Sequence, residues 1–332
     1  MYASSLSGDV QRRPSDTNAA RMIPLVTRVW ASFLPLMIAA CCARHTLAAE
    51  ISFEHHNDRI EIRADNRPFA TYVFRDKQIH RPYFCNLMSS QQVKVTRNHP
   101  LEPTDSQDHF FHSGLFFSFG DLNGIDFWHM NAPVVHQSFS REPELNAGTL
   151  HFTTQDEYRT SSGEPLARQT VAHTISATAE GIRIDWDLSL QALDQILKIG
   201  SKEEGGLAVR VATPIAVNAQ HGGRMIDDQG RVNGKAIWGQ QANWVASSAP
   251  VEGRQVGVLL MSDPNNARAS FWHARDYGLL VANPFGPLNK PTGGMAVSTD
   301  APLRLRFALL VFDTQRDVRD LAEAAYQRLT HN

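Results

Sequence analysis

Apolar residues at every second position constrain this chain more than any other feature. Ile182, Ile184, Trp186 and Leu188 alternate with Arg183, Asp185 and Asp187. A helix would scatter those four large side chains around its circumference, whereas a half-buried strand keeps them on one face. The alternation recurs at 51–54, 59–63 and 69–74, punctuated by Asn57-Asp58 and by Asp65-Asn66-Arg67-Pro68. Further strand-like runs cover 149–154, 169–178, 207–211, 244–247, 257–261 and 303–312, and Ala179-Glu180-Gly181 turns the chain between two of them. Short strands at this spacing, with Gly, Asn and Asp turns, predict a mainly β fold: a large antiparallel β-sandwich over 50–332, read as one domain. No repeat period and no Pro/Ser linker interrupt the pattern.

The last element reads differently. Val318, Leu321, Ala322, Ala325 and Leu329 fall at helical spacing, with Asp313 or Thr314 placed to cap the start. The expectation is an amphipathic C-terminal helix covering a sheet edge or face.

Residues 1–49 read as a leader. Arg28 precedes an apolar run over 29–42 that is too short to span a membrane as a mature helix, and Leu47-Ala48-Ala49 suits a signal peptidase. Ile38-Ala39-Ala40-Cys41 resembles a bacterial lipobox, the alternative that places a lipid anchor on Cys41. Either way a periplasmic or extracellular protein with no transmembrane helix in the mature chain is expected. The leader carries five arginines against Asp9 and Asp16, a net +3, so a total of −2 leaves −5 for the remainder. A mildly acidic body without a basic stripe argues against a nucleic-acid partner. Of the three cysteines only Cys85 lies beyond the leader, in an apolar context that suits a buried small hydrophobe.

Chemistry concentrates in three places. Residues 108–129, DHFFHSGLFFSFGDLNGIDFWH, combine ionisable groups and aromatics that neither a core strand nor a disordered loop would carry together. His109 and His112 are candidate acid/base groups, and no third ligand lies at a recognisable spacing, so no metal is expected. Trp128 is read as either a sugar-stacking platform or core. Asn123 sits with Asp121 and Asp126 in a pattern that suits turns, and is kept as a candidate substrate contact. The second cluster is Lys202-Glu203-Glu204-Gly205-Gly206-Leu207-Ala208-Val209-Arg210. There Glu204 is the candidate base and Arg210 the anchor, while Glu203 is read as solvated. In the third, strand alternation sends His273 and Arg275 to one face, near Asn283-Pro284-Phe285-Gly286. His273 is read there as catalytic, and Trp272, Arg275 and Asn283 as binding residues. No Gly-x-Ser-x-Gly elbow, phosphate-cradling glycine loop or zinc-type cysteine pair is present, and no cofactor is expected.

Taken together, these motifs resemble the bacterial PmoA-like family. The resemblance rests on Arg81-Pro82-Tyr83; on Asp108-His109 with His112 and Gly114-Leu115; and on Gly120-Asp121 through Gly124-Ile125-Asp126-Phe127-Trp128. It continues with Glu204-Gly205-Gly206-Leu207 and Arg210, Trp238-Gly239, Trp244, Pro264-Asn265-Asn266, Trp272-His273 with Arg275, and Asn283-Pro284-Phe285-Gly286. It runs from about Ile51 to the terminal helix. The family pattern Asp-His-Pro-His-His-Arg-Gly is altered here, with Phe110, Phe111 and Ser113 replacing proline, histidine and arginine. The family's label, a methane oxygenase subunit, is not literal: such a subunit needs several apolar spans of about twenty residues, and only the leader is apolar enough to consider. The resemblance implies an exported β-sandwich, and an architecture akin to the mutarotase-like supersandwich is expected. The expected function is proton transfer of lyase, epimerase or mutarotase type on a sugar or glycoside derivative. The rival is a non-catalytic carbohydrate-binding protein.

Overall fold

Two-residue turns set the topology locally. Asp65-Asn66, Ala147-Gly148 and Glu252-Gly253 all take positive φ, between 48° and 78°. Paired left-handed residues give the turn whose twist matches that of two antiparallel strands, so each pair closes a tight hairpin. A computed structural model describes residues 49–330. The expected leader over 1–49, with Cys41 and Cys42, lies outside the described residues except for Ala49.

Along the chain, β1 (Ile51–His55), β2 (Arg59–Ala64), β3 (Arg67–Val73), β4 (Tyr83–Cys85) and β5 (Leu115–Phe119) begin one sheet. Next, β6 (Val134–Asn146), β7 (Thr149–Arg159), β8 (Pro165–Ala177) and β9 (Ile182–Ala192) form a long meander in a second. After β10 (Leu197–Ile199), β11 (Gly205–Arg210) returns to the first sheet. The strand β12 (Arg224–Asp227), the short helix α1 (Asn233–Ile237), β13 (Trp244–Val251) and β14 (Arg254–Ser262) follow. The chain ends with β15 (Phe271–Arg275), β16 (Leu279–Asn283), β17 (Met295–Val297), β18 (Leu303–Thr314) and α2 (Val318–Thr330). Each main sheet has eight strands, ordered β1-β2-β3-β4-β5-β11-β16-β15 and β12-β13-β14-β18-β9-β8-β7-β6. All pairings are antiparallel, and β10 with β17 makes a separate ribbon. The β-sandwich expectation holds.

The inner faces of the two sheets meet in one continuous apolar core. From the first sheet come Phe69, Tyr72, Leu115, Phe117 and Val209, and from the second Phe152, Ile184, Trp186, Leu188 and Leu309. Each such side chain contributes roughly 1.5–3 kcal/mol when fully buried. His173 sits among them, against Tyr72, Phe84, Phe152 and Trp186, and burial lowers its imidazole to about 3. Cys85 is buried on the other face of the first sheet, where burial pushes its thiol up to about 12.

Both outer faces are covered. On the second sheet, Leu321, Ala322, Ala325 and Leu329 of α2 pack on Trp244, Met261 and Leu310. The cap of α2 differs from the expectation. Asp317 accepts the backbone N–H of Arg319 at 2.8 Å and of Asp320 at 3.3 Å. Asp313 still belongs to β18 and is tied to Arg254, while Thr314 accepts from Arg316 N–H in the connecting turn. On the first sheet, period-two geometry turns Tyr83, Phe116, Ala208 and Val281 outward, and the long connections after β3 and β5 cover them with Ile79 and Trp128. Arg210, His273 and Arg275 share that outward parity. Among the described residues, no helix is long and apolar enough to cross a membrane.

Candidate functional site

The loop before β5 reaches over the outer face of the first sheet because buried guanidinium groups fasten it there. Arg97 donates to the carbonyls of Asp108 (2.6 Å), His109 (2.6 Å) and His112 (3.0 Å), and to the Asp108 carboxylate (3.0 Å). Arg81 donates to Trp128 O (2.9 Å) and Phe111 O, and lies 4.1 Å over the Phe116 ring. Arg210 donates to Asp108 Oδ1 at 2.8 Å and lies 4.4 Å over Tyr277. Burying an unpaired charge would be prohibitive, so these arginines are stable only because carbonyls and aromatic faces surround them. Burial lowers Arg97 to about 10 and Arg81 to about 9, which leaves both cationic at neutral pH. The loop they hold places His109 at φ 41°, a left-handed conformation uncommon outside glycine.

Beneath this loop is a cavity of about 220 Å³ lined by His109, His112, Trp128, His129, Glu203, Glu204, His273, Arg275, Tyr277 and Leu279. It brings together side chains separated by up to 170 residues, from all three sequence clusters. Two of its imidazoles are backed by carboxylates. His109 Nδ1 donates to Asp108 at 2.9 Å, and His129 Nδ1 to Asp126 at 2.7 Å. Burial alone would raise the Asp108 carboxyl, but hydrogen bonds from Ser106 and His109 and the Arg210 charge hold it well below the usual range.

The adjacent glutamates are driven in opposite directions. Arg275 Nη2 reaches both oxygens of Glu203, at 2.7 and 2.9 Å, and the Trp238 indole donates to it at 2.7 Å. Burial works to raise Glu203, yet His273, Arg275 and Trp238 together hold it below the ordinary carboxyl range. Glu204 has no such clamp. Burial and the neighbouring Glu203 charge raise it, against a bond from its own backbone N–H. The reading of Glu203 as solvated is therefore corrected: it is the anchored carboxylate of the cavity. Only the tertiary partners Arg275 and Trp238 distinguish the two, and neither is near in sequence.

The remaining histidines are neutral and fixed. Trp128 Nε1–H can only donate, so His112 Nε2, 3.1 Å away, accepts and the proton resides on Nδ1. Burial, with the charges of Arg210 and its neighbours, keeps His112 far below its ordinary value. His112 also stacks parallel to His109, with centroids 5.1 Å apart. His273 donates from Nδ1 to Glu203 O at 3.2 Å and accepts Arg275 Nε–H on Nε2 at 2.9 Å. Burial and the Arg275 charge lower it to about 4.

Four expected residues lie elsewhere. Trp272 alternates with His273 and so points inward, fully buried, its indole donating to Ala242 O. Asn283 is also fully buried; it holds the carbonyls of Lys202 and Glu203 at 2.9 and 3.3 Å and thereby shapes the glutamate loop. Asn123 makes a left-handed turn that accepts Lys198 N–H, beside a separate cavity of about 430 Å³ with Asp121 and Gly200. Arg210 lies under the loop and not on the cavity wall. Trp128 reaches the wall but is 1% exposed with its N–H engaged, which removes it as an open stacking platform. His129 was not singled out, although the spacing Asp126-x-x-His129 was a signal for it. Among the described residues the one group of three donors close enough for a metal is Glu54, His56 and Glu61, none of which lines this cavity.

No curated protein matches this sequence. Residues 59–326, most of the chain and every residue of the cavity, match the model of the Family of unknown function (DUF6807), and the protein belongs to that family.

Proposed function

We propose that the protein is an exported, carbohydrate-active member of the PmoA-like group that transfers protons on a sugar or glycoside derivative, as a lyase, epimerase or mutarotase does. The opposite displacement of Glu203 and Glu204 within one cavity carries this reading. Pairs of titratable groups pushed apart by their surroundings supply the acid and the base of such reactions. Glu204 is the proton carrier on one side of the substrate, and His109 and His129, each backed by an aspartate, are the carriers on the other. Glu203 and Arg275 form a fixed polar wall, and His112 and His273 position their neighbours. The volume is below the about 300–1,000 Å³ of typical ligand pockets, which favours a single small polar ring.

The test is incubation with a panel of monosaccharides, uronates and glycosides in D2O, with deuterium incorporation and product followed by mass spectrometry and NMR. Glu204→Gln is expected to lower turnover about 10²–10⁴-fold while the circular-dichroism spectrum stays native. Undiminished turnover in that variant overturns the assignment.

One observation favours the rival reading of a binding protein. Phe110 is 54% exposed, next to Phe111, which packs against His109, His112 and His129. An exposed aromatic beside a polar cavity suits stacking on a sugar face. Saturable saccharide binding with no deuterium uptake and no product would establish that rival.

A further inference from the structure

The structure assigns a second saccharide-binding site, built on His136, which shares no residue with the cavity of Glu204. His136 lies on β6 with its side chain 1% exposed, and its Nδ1 donates at 3.0 Å to Asp156, whose side chain is equally buried. Behind it stands a dedicated network. Thr154 and Gln169 donate to Asp156 Oδ2 at 3.1 and 3.4 Å, and Tyr158 donates to Gln169 at 3.0 Å. A buried charge held this way is a poor source of stability, since apolar side chains of similar volume commonly do as well or better. The network does fix an orientation. With Nδ1–H committed to the carboxylate, Nε2 is left as an acceptor, and it has no partner among the described residues.

His136 lines two neighbouring cavities of about 540 Å³ each, which share Phe74, Arg75 and His136. The first is completed by His55, His56, Phe139 and Glu142. Rings crowd one side of it: Phe74 and Phe139 lie 5.1 Å apart edge to face, each 4.8 Å from His136. The Arg75 guanidinium lies 5.1 Å over Phe74 and uses one donor on Asn57 O, at 2.8 Å. Acceptors at His136 Nε2 and Glu142 call for hydroxyl donors, and Arg75 supplies a donor for a ring or glycosidic oxygen. The half-buried Phe139 offers a surface for C–H groups. That combination describes a neutral sugar ring. An oxyanion would find Arg75, but it would also meet an imidazole lone pair and the Glu142 carboxylate, which lies 3.8 Å from His55.

The experiment follows the His136 ring nitrogens by ¹⁵N NMR during titration with methyl glucopyranoside, methyl xylopyranoside and methyl mannopyranoside, with sodium sulfate as the anion probe. At least one glycoside is expected to move the Nε2 resonance saturably. Arg75→Ala, at an exposed position, should weaken that response about tenfold while the circular-dichroism spectrum stays native. Glu204→Gln should leave it unchanged, which separates this site from the proposed reaction. A response to sulfate alone, or none to any glycoside up to its solubility limit, overturns the proposal.

Discussion

At the residue scale the site depends on which atom carries a proton. His112 holds its proton on Nδ1 because the Trp128 indole occupies Nε2. Trp128→Phe keeps an aromatic ring at this buried position, though a smaller one, and removes that donor, which frees His112 to exchange tautomers and disturbs its stacking on His109. The expected outcome is a roughly tenfold loss of turnover or ligand affinity, about 1.4 kcal/mol, with the native fold retained. In ¹⁵N NMR the two His112 nitrogens should move toward averaged shifts. Unchanged ¹⁵N shifts would sink the tautomer argument. Much of this scale was legible in the sequence, because His109, His112, Glu204, His273 and Arg275 are all on or beside one cavity. What was not legible follows from physics that spacing does not encode. Glu203 and Glu204 are neighbours with identical side chains, and only distant partners, the Arg275 guanidinium 72 residues away and the Trp238 indole, tell them apart. Trp272 was a different case: the alternation that paired His273 with Arg275 also required Trp272 to face inward.

At the element scale, most strands lie where the pattern placed them, including the doubly buried β11, β13 and β14, whereas β5 and β6 were missed. The edge strand β6 reads VVHQSFSREPELN, mostly exposed, and its pairing with β7 slips register three times. Such bulged, charged edges blunt unwanted strand pairing and erase the period-two signal. At the opposite extreme β5, LFFSF, is buried on both faces, so it has no polar side to alternate with. One strand residue is constrained by close approach. Gly206 on β11 has φ 111°, and a Cβ there would sit 2.1 Å from the carbonyl oxygen of Ala282 on β16. Gly206→Ala is expected to destabilise the protein by roughly 1–3 kcal/mol, and because Glu204 lies two residues away, to lower activity as well. Urea unfolding measures the first effect. A variant as stable as the wild type would show that the strands can separate at little cost.

For the whole molecule, three buried neutral histidines link stability to pH. His112 lies far below its ordinary value, His173 is at about 3 and His273 at about 4, each lowered first of all by burial. All three are neutral in the folded protein above about pH 6.5, where the unfolded chain's histidines are neutral too. As pH falls below that point the unfolded state takes up protons that the folded state refuses, so stability declines. Each histidine contributes a slope of up to about 1.4 kcal/mol per pH unit until its own folded value is reached. Urea midpoints are therefore expected to fall steeply between about pH 6.5 and 4. His173→Phe, which removes one titrating group from an aromatic nest, should flatten the decline. A midpoint independent of pH over that range contradicts the assignment.

The sandwich wears a different coat on each side, helix α2 on one sheet and arginine-fastened loops on the other. Support and the candidate site are thereby stacked in separate storeys, with the cavity set into the roof and the apolar filling hidden below. Changes to the filling should shorten or lengthen how long a molecule survives, and changes to the roof should alter what it accepts. The spans on either side of β5 and the one before β11 can accordingly be rewritten while every strand beneath stays where it is.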